Sequence, residues 1–307
     1  MRAIRINDFK NEPRLEETPL PIVGPIDVLV QVEAASLNPR DVHPATRSSG
    51  NSRDIRYPRT PGTDFAGKIV KIGSAVRRWR VGDRVIAWTD TELGGGLADF
   101  AVADESACVA MPGNITAVHG AAIPSAGITA WHSLFSTAKL KPRETVLVHG
   151  ADGGTGSFAV QFACLAGARV IATASEEGLT LVRNLGANVV IDHAGSDFCS
   201  GMEKVDVVLD LAETGAPINS HRILKTGGRL VSTAMAFPDD AAGIRGAEVQ
   251  SFSPKPFANR LGDLVSIVSD LKLKVTIDRV TPILSFRDAW ERQRSGKARG
   301  QIVVVPQ

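Results

Sequence analysis

The sequence predicts an α/β protein of two domains, one a doubly wound parallel sheet and the other rich in β-strands. Three observations lead there. The 307 residues suit two domains of about 100 to 200 residues each. From about Val118 onward, short β-branched runs alternate with stretches of helical period, the pattern of a parallel sheet covered on both faces. Within that half lies TVLVHGADGGTGSFAVQFACLAG (145–167), where strand, glycine turn and helix follow one another directly.

Taken in order, residues 1 to about 118 carry β-branched or alternating runs at 28–32, 65–72 and 84–87, punctuated by Pro and Gly. Two polar, turn-rich stretches, 47–59 and 89–96, read as long loops. A helix at 130–138 precedes the strand 146–148. Next come the helix after Gly156, a strand at 169–173, a helix at 177–185 and a strand at 189–191. A strand at 205–209, a helix around 217–224, a turn at 225–228 and a strand at 229–232 complete the run, so the doubly wound domain is placed at 119–253. The remainder reads as helix 257–271, strand 275–280, helix 286–293 and strand 302–305.

In the central stretch, Val146, Leu147 and Val148 form a buried strand that ends near His149. Gly150, Gly153, Gly154 and Gly156 then allow a sharp backbone bend that a Cβ would obstruct. Phe158, Phe162, Leu165 and Ala166 share one face of a helix that stops at Gly167. Set on G-x-G-x-x-G, the match is Ala151, Gly153 and Gly156. Residues Ala151, Asp152, Gly153, Gly154, Thr155 and Gly156 are therefore the candidate dinucleotide cradle, with the helix N-terminus facing a pyrophosphate.

Composition excludes several classes. A net charge of +2 gives no strong attraction to nucleic acid or anionic membrane, and the Arg77-Arg78-Trp79-Arg80 cluster reads as a solvated turn. The three cysteines are widely spaced, with no C-x-x-C, and suggest neither disulfide framework nor zinc cluster. The first residues lack the apolar core of a signal peptide, and no apolar run approaches membrane-spanning length, so a cytoplasmic protein is expected.

Ten segments in order resemble the medium-chain dehydrogenase/reductase superfamily, and within it the zinc-free quinone oxidoreductase branch that includes ζ-crystallin. They are AASLNPRD (34–41), PGTDFAGKIVKIG (61–73), VGDRV (81–85), GGLADF (95–100), AAIPSAGITAW (121–131), VHGADGGTG (148–156), GARVIATAS (167–175), LGANVVID (185–192), KTGGRLVS (225–232) and GKARGQIV (296–303). The resemblance implies a GroES-like catalytic domain at 1–118, a Rossmann domain at 119–253, a return of 254–307 to the first domain, a cofactor in the cleft between them, and a homodimer. Residues 247–252 are a candidate edge strand for the dimer contact. In zinc-dependent relatives the segments matching Asn38, Thr63 and Ser125 supply Cys, His and a third ligand, commonly Cys. An amide and two hydroxyls make a poor tetrahedral zinc site, so no metal is expected.

The resemblance also assigns roles. Asn38 and Asp41 are expected near the nicotinamide, with Thr129 at its carboxamide or ring edge. Asn38 is either a donor to an enolate-like oxygen or a turn residue before Pro39. His43 matches a proton-relay histidine of some zinc enzymes, and an imidazole near its usual pKa of about 6.5 suits that task. The second strand of the Rossmann unit ends in Thr173-Ala174-Ser175 with no carboxylate to repel a 2′-phosphate, which favours NADPH with Ser175 as a contact. Where the family often has lysine this chain has Gly178, preceded by Glu176 and Glu177, leaving Arg183 and His193 as further phosphate contacts. The R-S-G-x-Y segment of many quinone reductases has no tyrosine here, in 47–52. The expected activity is hydride transfer from NADPH to a quinone. The alternatives are reduction of the C=C bond of an alkenal or enone, or, in another class, a non-enzymatic NADPH-binding or RNA-binding module.

Overall fold

The computed structural model describes residues 1–8, 12–42, 57–89, 95–194, 201–212, 222–233, 258–270 and 273–306. The chain divides into two compact units, Met1–Ser125 with Lys255–Gln307, and Ala126–Pro254.

In the first unit, strands β1 (Arg2–Arg5) and β2 (Arg14–Glu17) form an antiparallel pair. They are followed by β3 (Asp27–Leu37), the short helix α1 (Pro39–Val42), β4 (Asp64–Ile72), β5 (Arg84–Trp88), β6 (Phe100–Asp104), β7 (Cys108–Ala110) and α2 (Ala117–Ala121). Helix α3 (Pro124–Trp131) leads from one unit into the other. The second unit holds β8 (Thr145–His149), α4 (Gly154–Leu165), β9 (Arg169–Ala174), α5 (Leu179–Asn184), β10 (Val189–Asp192), β11 (Val205–Asp210) and β12 (Leu224–Ser232). The C-terminal segment adds α6 (Ala258–Ser269), β13 (Ile277–Pro282), α7 (Phe286–Arg294) and β14 (Gln301–Val305) to the first unit.

The first unit is built round β3, whose Val28, Val30 and Val32 alternate into the core while Gln31 and Glu33 face outward. Among the described residues a seven-stranded sheet runs β13-β14-β3-β4-β5-β7, with β6 also pairing β3. The C-terminal strand is stitched in by antiparallel pairing of Ile302 with Leu37 and Val304 with Ala35, and Ser36 Oγ donates to Gln301 Oε1 at 2.7 Å. Phe65, Ile69, Trp290 and Ile302 meet in one core, where each large apolar side chain contributes roughly 1.5–3 kcal/mol by leaving water.

The second unit is a five-stranded parallel sheet of order β10-β9-β8-β11-β12 among the described residues. In chain order that is 3-2-1-4-5, the doubly wound arrangement, and the direction of winding reverses between β8 and β11. Fully buried Phe158 and Phe162 hold α4, which packs on β8 and β9, and Trp131 meets Phe162 edge-on at 5.2 Å.

Several elements differ from the sequence reading. The helix expected at 130–138 begins at Pro124, a residue suited to the first helical turn, and continues past Trp131 as a π-helical stretch, His132–Thr137. The turn at 225–228 is a bulge inside β12. Leu224 pairs Val205 and Arg229 pairs Val207, with Gly227 at φ +76° and Lys225 Nζ on Asp206 at 2.8 Å. Strands β6 and β7 were not anticipated, because AVAD and CVA are short and alanine-rich and owe their form to β3 and β5 beside them. The basic cluster is a solvated turn, in which Arg77 N and Arg78 N donate to Glu105 and the Arg78 guanidinium lies over Trp79 at 5.1 Å. The expected edge strand 247–252, the polar stretch 47–56 and most of the helix around 217–224 lie outside the described residues.

Candidate functional site

The chemistry-bearing residues fall into two groups, one in each unit. In the first unit β3 runs straight into Asn38, and α1 begins at Pro39. Asp41 ties this corner down. Its Oδ2 accepts from Asn38 N and its Oδ1 from Gly62 N, both at 2.8 Å, so both carboxylate oxygens are engaged by backbone. Burial nonetheless pushes the Asp41 carboxyl up, against the pull of those two N–H groups. Asp41 therefore positions the loop that carries Asn38.

Beside it, at the head of β4, lies Asp64, which sequence reasoning passed over. It is 1% exposed and accepts four hydrogen bonds: Asn38 Nδ2 at 3.1 Å, Thr63 Oγ1 at 2.8 Å, Ser125 Oγ at 2.6 Å and Ser125 N at 3.0 Å. Burial is the largest influence and pushes this carboxyl up to about 6, with the four donors opposing it. The signal was present in PGTDFAG, an acid heading an apolar strand, since an acid in such a place needs internal partners.

Asn38, Thr63 and Ser125 are thus brought together, each donating to one carboxylate. This donor set does not fit a tetrahedral zinc ion, which takes thiolate, imidazole or carboxylate ligands. Among the described residues there is also no group of three or more His, Cys, Asp or Glu able to hold a metal. Thr129 belongs to the second unit, where it stands on α3 and is half-buried. His43 lies outside the described residues.

In the second unit the glycine turn leaves the carboxyl end of β8, at the point where the winding reverses, which is where such sheets bind ligands. Gly150 has φ +65°, a conformation that favours glycine. Ala151 is fully buried and its N–H donates to Thr173 O at 3.0 Å, fastening the turn to β9. Gly153 caps α4 and a Cβ there would meet only Gly150 O, at 3.3 Å, leaving that side open to a ligand. Gly156 is the close-packing position, for its Cβ would lie 2.0 Å from Gly150 O. The first repeat bond of α4 runs from Ser157 N to Gly153 O, so the N–H groups of Gly154, Thr155 and Gly156 precede the helical ladder. The turn fits a pyrophosphate.

The end of β9 departs from the sequence reading. It does hold a carboxylate, supplied by the glycine turn. Asp152 Oδ2 accepts from Ser175 Oγ at 2.6 Å and from Ser175 N at 3.1 Å. Ser175 thus sits against a negative charge, which corrects the premise that this strand end lacks one. His193 is at the same end, with Nδ1 3.0 Å from Ala174 O. His149, at the end of β8, is buried with Nδ1 2.9 Å from Thr173 Oγ1, and burial lowers it to about 3, so it is a neutral structural residue.

Residues 24–113 match the alcohol dehydrogenase GroES-like domain and residues 185–304 match the zinc-binding dehydrogenase family. The quinone oxidoreductase of Lama guanicoe is 35% identical over 99% of this chain and 97% of its own length. A quinone oxidoreductase structure from Coxiella burnetii superposes with a TM-score of 0.90 at 27% identity, covering 100% of this chain and 99% of that one. A mycobacterial structure complexed with NADPH superposes at 0.85 with 25% identity, each chain fully covered. Fold and site together define an oxidoreductase with a nicotinamide-dinucleotide fold and a GroES-like partner domain. The chain belongs to the medium-chain dehydrogenase/reductase superfamily, in its quinone oxidoreductase branch.

Proposed function

We propose that this protein is a zinc-independent reductase that passes hydride from a reduced nicotinamide dinucleotide to a quinone or a similar conjugated acceptor. The observation that carries the reading is the Asp64 cluster. Where zinc-dependent relatives place metal ligands, this chain has an amide and two hydroxyls organised by one carboxylate. Such a group is suited to orienting a carbonyl acceptor by hydrogen bonding.

When bound, the dinucleotide supplies the hydride from its nicotinamide ring. The chain's own residues bind and orient. The N–H groups of Gly154, Thr155 and Gly156 take the pyrophosphate, and Ala151 holds that turn to β9. Asn38 commits one amide hydrogen to Asp64 and has a second on the same nitrogen to offer an oxygen that gains charge. Asp41 keeps Asn38 in place from the backbone side. Reduction of a quinone to the quinol requires one hydride and one further proton, for which His43 is the relay suggested by resemblance. The sequence-based choice of dinucleotide is NADPH, supported by the mycobacterial relative that holds it. Asp152 weighs against that choice.

The test is stopped-flow oxidation of NADH and NADPH by 1,4-quinones and by 2-alkenals, with protein dialysed against a chelator. Quinone turnover unaffected by the chelator is expected. Turnover of alkenals alone would reassign the acceptor, and loss of rate restored by zinc would overturn the metal-free reading. Salt-dependent RNA binding without any reductase activity would favour the non-enzymatic alternative.

A further inference from the structure

We infer that Asp152 is a specificity-determining residue that selects a dinucleotide with a free ribose 2′-hydroxyl, so that NADH is preferred to NADPH. The inference rests on the dinucleotide reading of the second unit and deepens it.

In doubly wound domains the end of the second strand meets the adenine-side ribose, and a carboxylate there accepts from its hydroxyls. Here β9 ends at Ala174 and Ser175 follows, without an acid of its own. The acid comes from the turn after β8. Asp152 Oδ2 takes both the N–H and the hydroxyl of Ser175, so the serine that would otherwise donate to a phosphate is already donating to a carboxylate.

Gly178 is a second, independent observation. A Cβ on Gly178 would lie 2.3 Å from Asp152 Oδ2 and 2.6 Å from Asp152 Cβ. The chain packs glycine against the acid, and no cationic side chain can stand at 178 while Asp152 keeps this position. Glu176 and Glu177, between Ser175 and Gly178, add further acidic side chains to the segment. His193 is at this strand end, its Nδ1 3.0 Å from Ala174 O and 3.7 Å from Asp192 Oδ1. A 2′-phosphate brought here meets a carboxylate at the serine that should bind it. A 2′-hydroxyl finds an acceptor.

The experiment uses the full chain and measures Kd for NADH and for NADPH by fluorescence titration at fixed ionic strength, alongside kcat/KM for each with one quinone. Wild type is expected to bind NADH at least about fivefold more tightly, the effect of two unit charges 4 Å apart even when screened as in bulk water. In D152N, which keeps an acceptor for Ser175 and removes the charge, the ratio of NADPH to NADH affinity should rise by about fivefold or more, with NADPH binding itself strengthened. Raising salt should narrow the wild-type ratio more than that of D152N. A purely structural role would weaken both dinucleotides together. Tighter binding of NADPH by wild type, or an unchanged ratio in D152N, overturns the inference alone. Failure of wild type to bind either dinucleotide overturns the reading of the second unit and the inference with it.

Discussion

Replacing Gly156 with alanine tests the dinucleotide turn most directly. The added Cβ would lie 2.0 Å from Gly150 O, 2.7 Å from Ala151 Cα and 2.8 Å from Gly150 C. All three are backbone atoms, so no side chain can rotate away. Ordinary contact begins near 3.4 Å, which requires α4 and the turn to part by about 1.4 Å. That movement opposes the Ala151 N to Thr173 O bond at 3.0 Å and the Gly153 N to Gly150 O bond at 3.1 Å. Overpacking against fixed atoms costs about 1–3 kcal/mol, and weakening one of these bonds adds about 1 kcal/mol. G156A is expected to lower the melting midpoint by roughly 6–12 °C and, with the helix N-terminus displaced by more than 1 Å, to weaken dinucleotide binding by about a hundredfold. G153A is the control. Its Cβ would meet only Gly150 O at 3.3 Å, so a shift of a few tenths of an ångström suffices and the loss should stay near 1 kcal/mol. Differential scanning calorimetry and fluorescence titration with NADH and NADPH read both quantities. A G156A protein that melts within about 2 °C of wild type and binds dinucleotide normally would refute the close-packing role.

Two further expectations concern buried titratable groups. Asp64 is pushed up from 3.8 to about 6 by burial, so the folded protein holds its proton more tightly than the unfolded chain. Its contribution to stability is fully present below about pH 3.8 and is lost as pH rises through about 6, amounting to about 3 kcal/mol. Urea unfolding of wild type and D64N at intervals from pH 4 to 7 should show the wild type losing ground to the variant by most of this amount, and parallel curves would disprove it. His149 has the opposite sign. Its lowered value means that the fold favours the neutral ring, so the associated stability is present above about 6.5 and declines as pH falls toward about 3. The ring resonances of His149 should stay constant in NMR spectra between pH 5 and 8, and a midpoint inside that range would contradict the burial argument.

Much of the second unit was legible in the chain. Val146, Leu147 and Val148, the glycines after them and the apolar face of Phe158 and Phe162 are local patterns, each tied to a backbone conformation or a period. They determined a strand, a tight turn and a helix in that order, and with the later alternation they determined a parallel sheet. The Asn38 segment was legible in a weaker sense, as a polar turn before Pro39. Its partners were not. Asp64 is 26 residues from Asn38 and 61 from Ser125, and nothing periodic links them.

What the tertiary structure decided was where charge sits. The last residues of β9 contain no acid, and from that the absence of repulsion toward a 2′-phosphate followed. Folding carries Asp152 across from the neighbouring turn, 23 residues away, to the hydroxyl of Ser175. The pairing of β8 with β9 sets Val148 beside Ala172 and brings their following loops together. A sequence states which side chains are charged, but the field at a site depends on through-space distance, and distance is settled only when the strands pair.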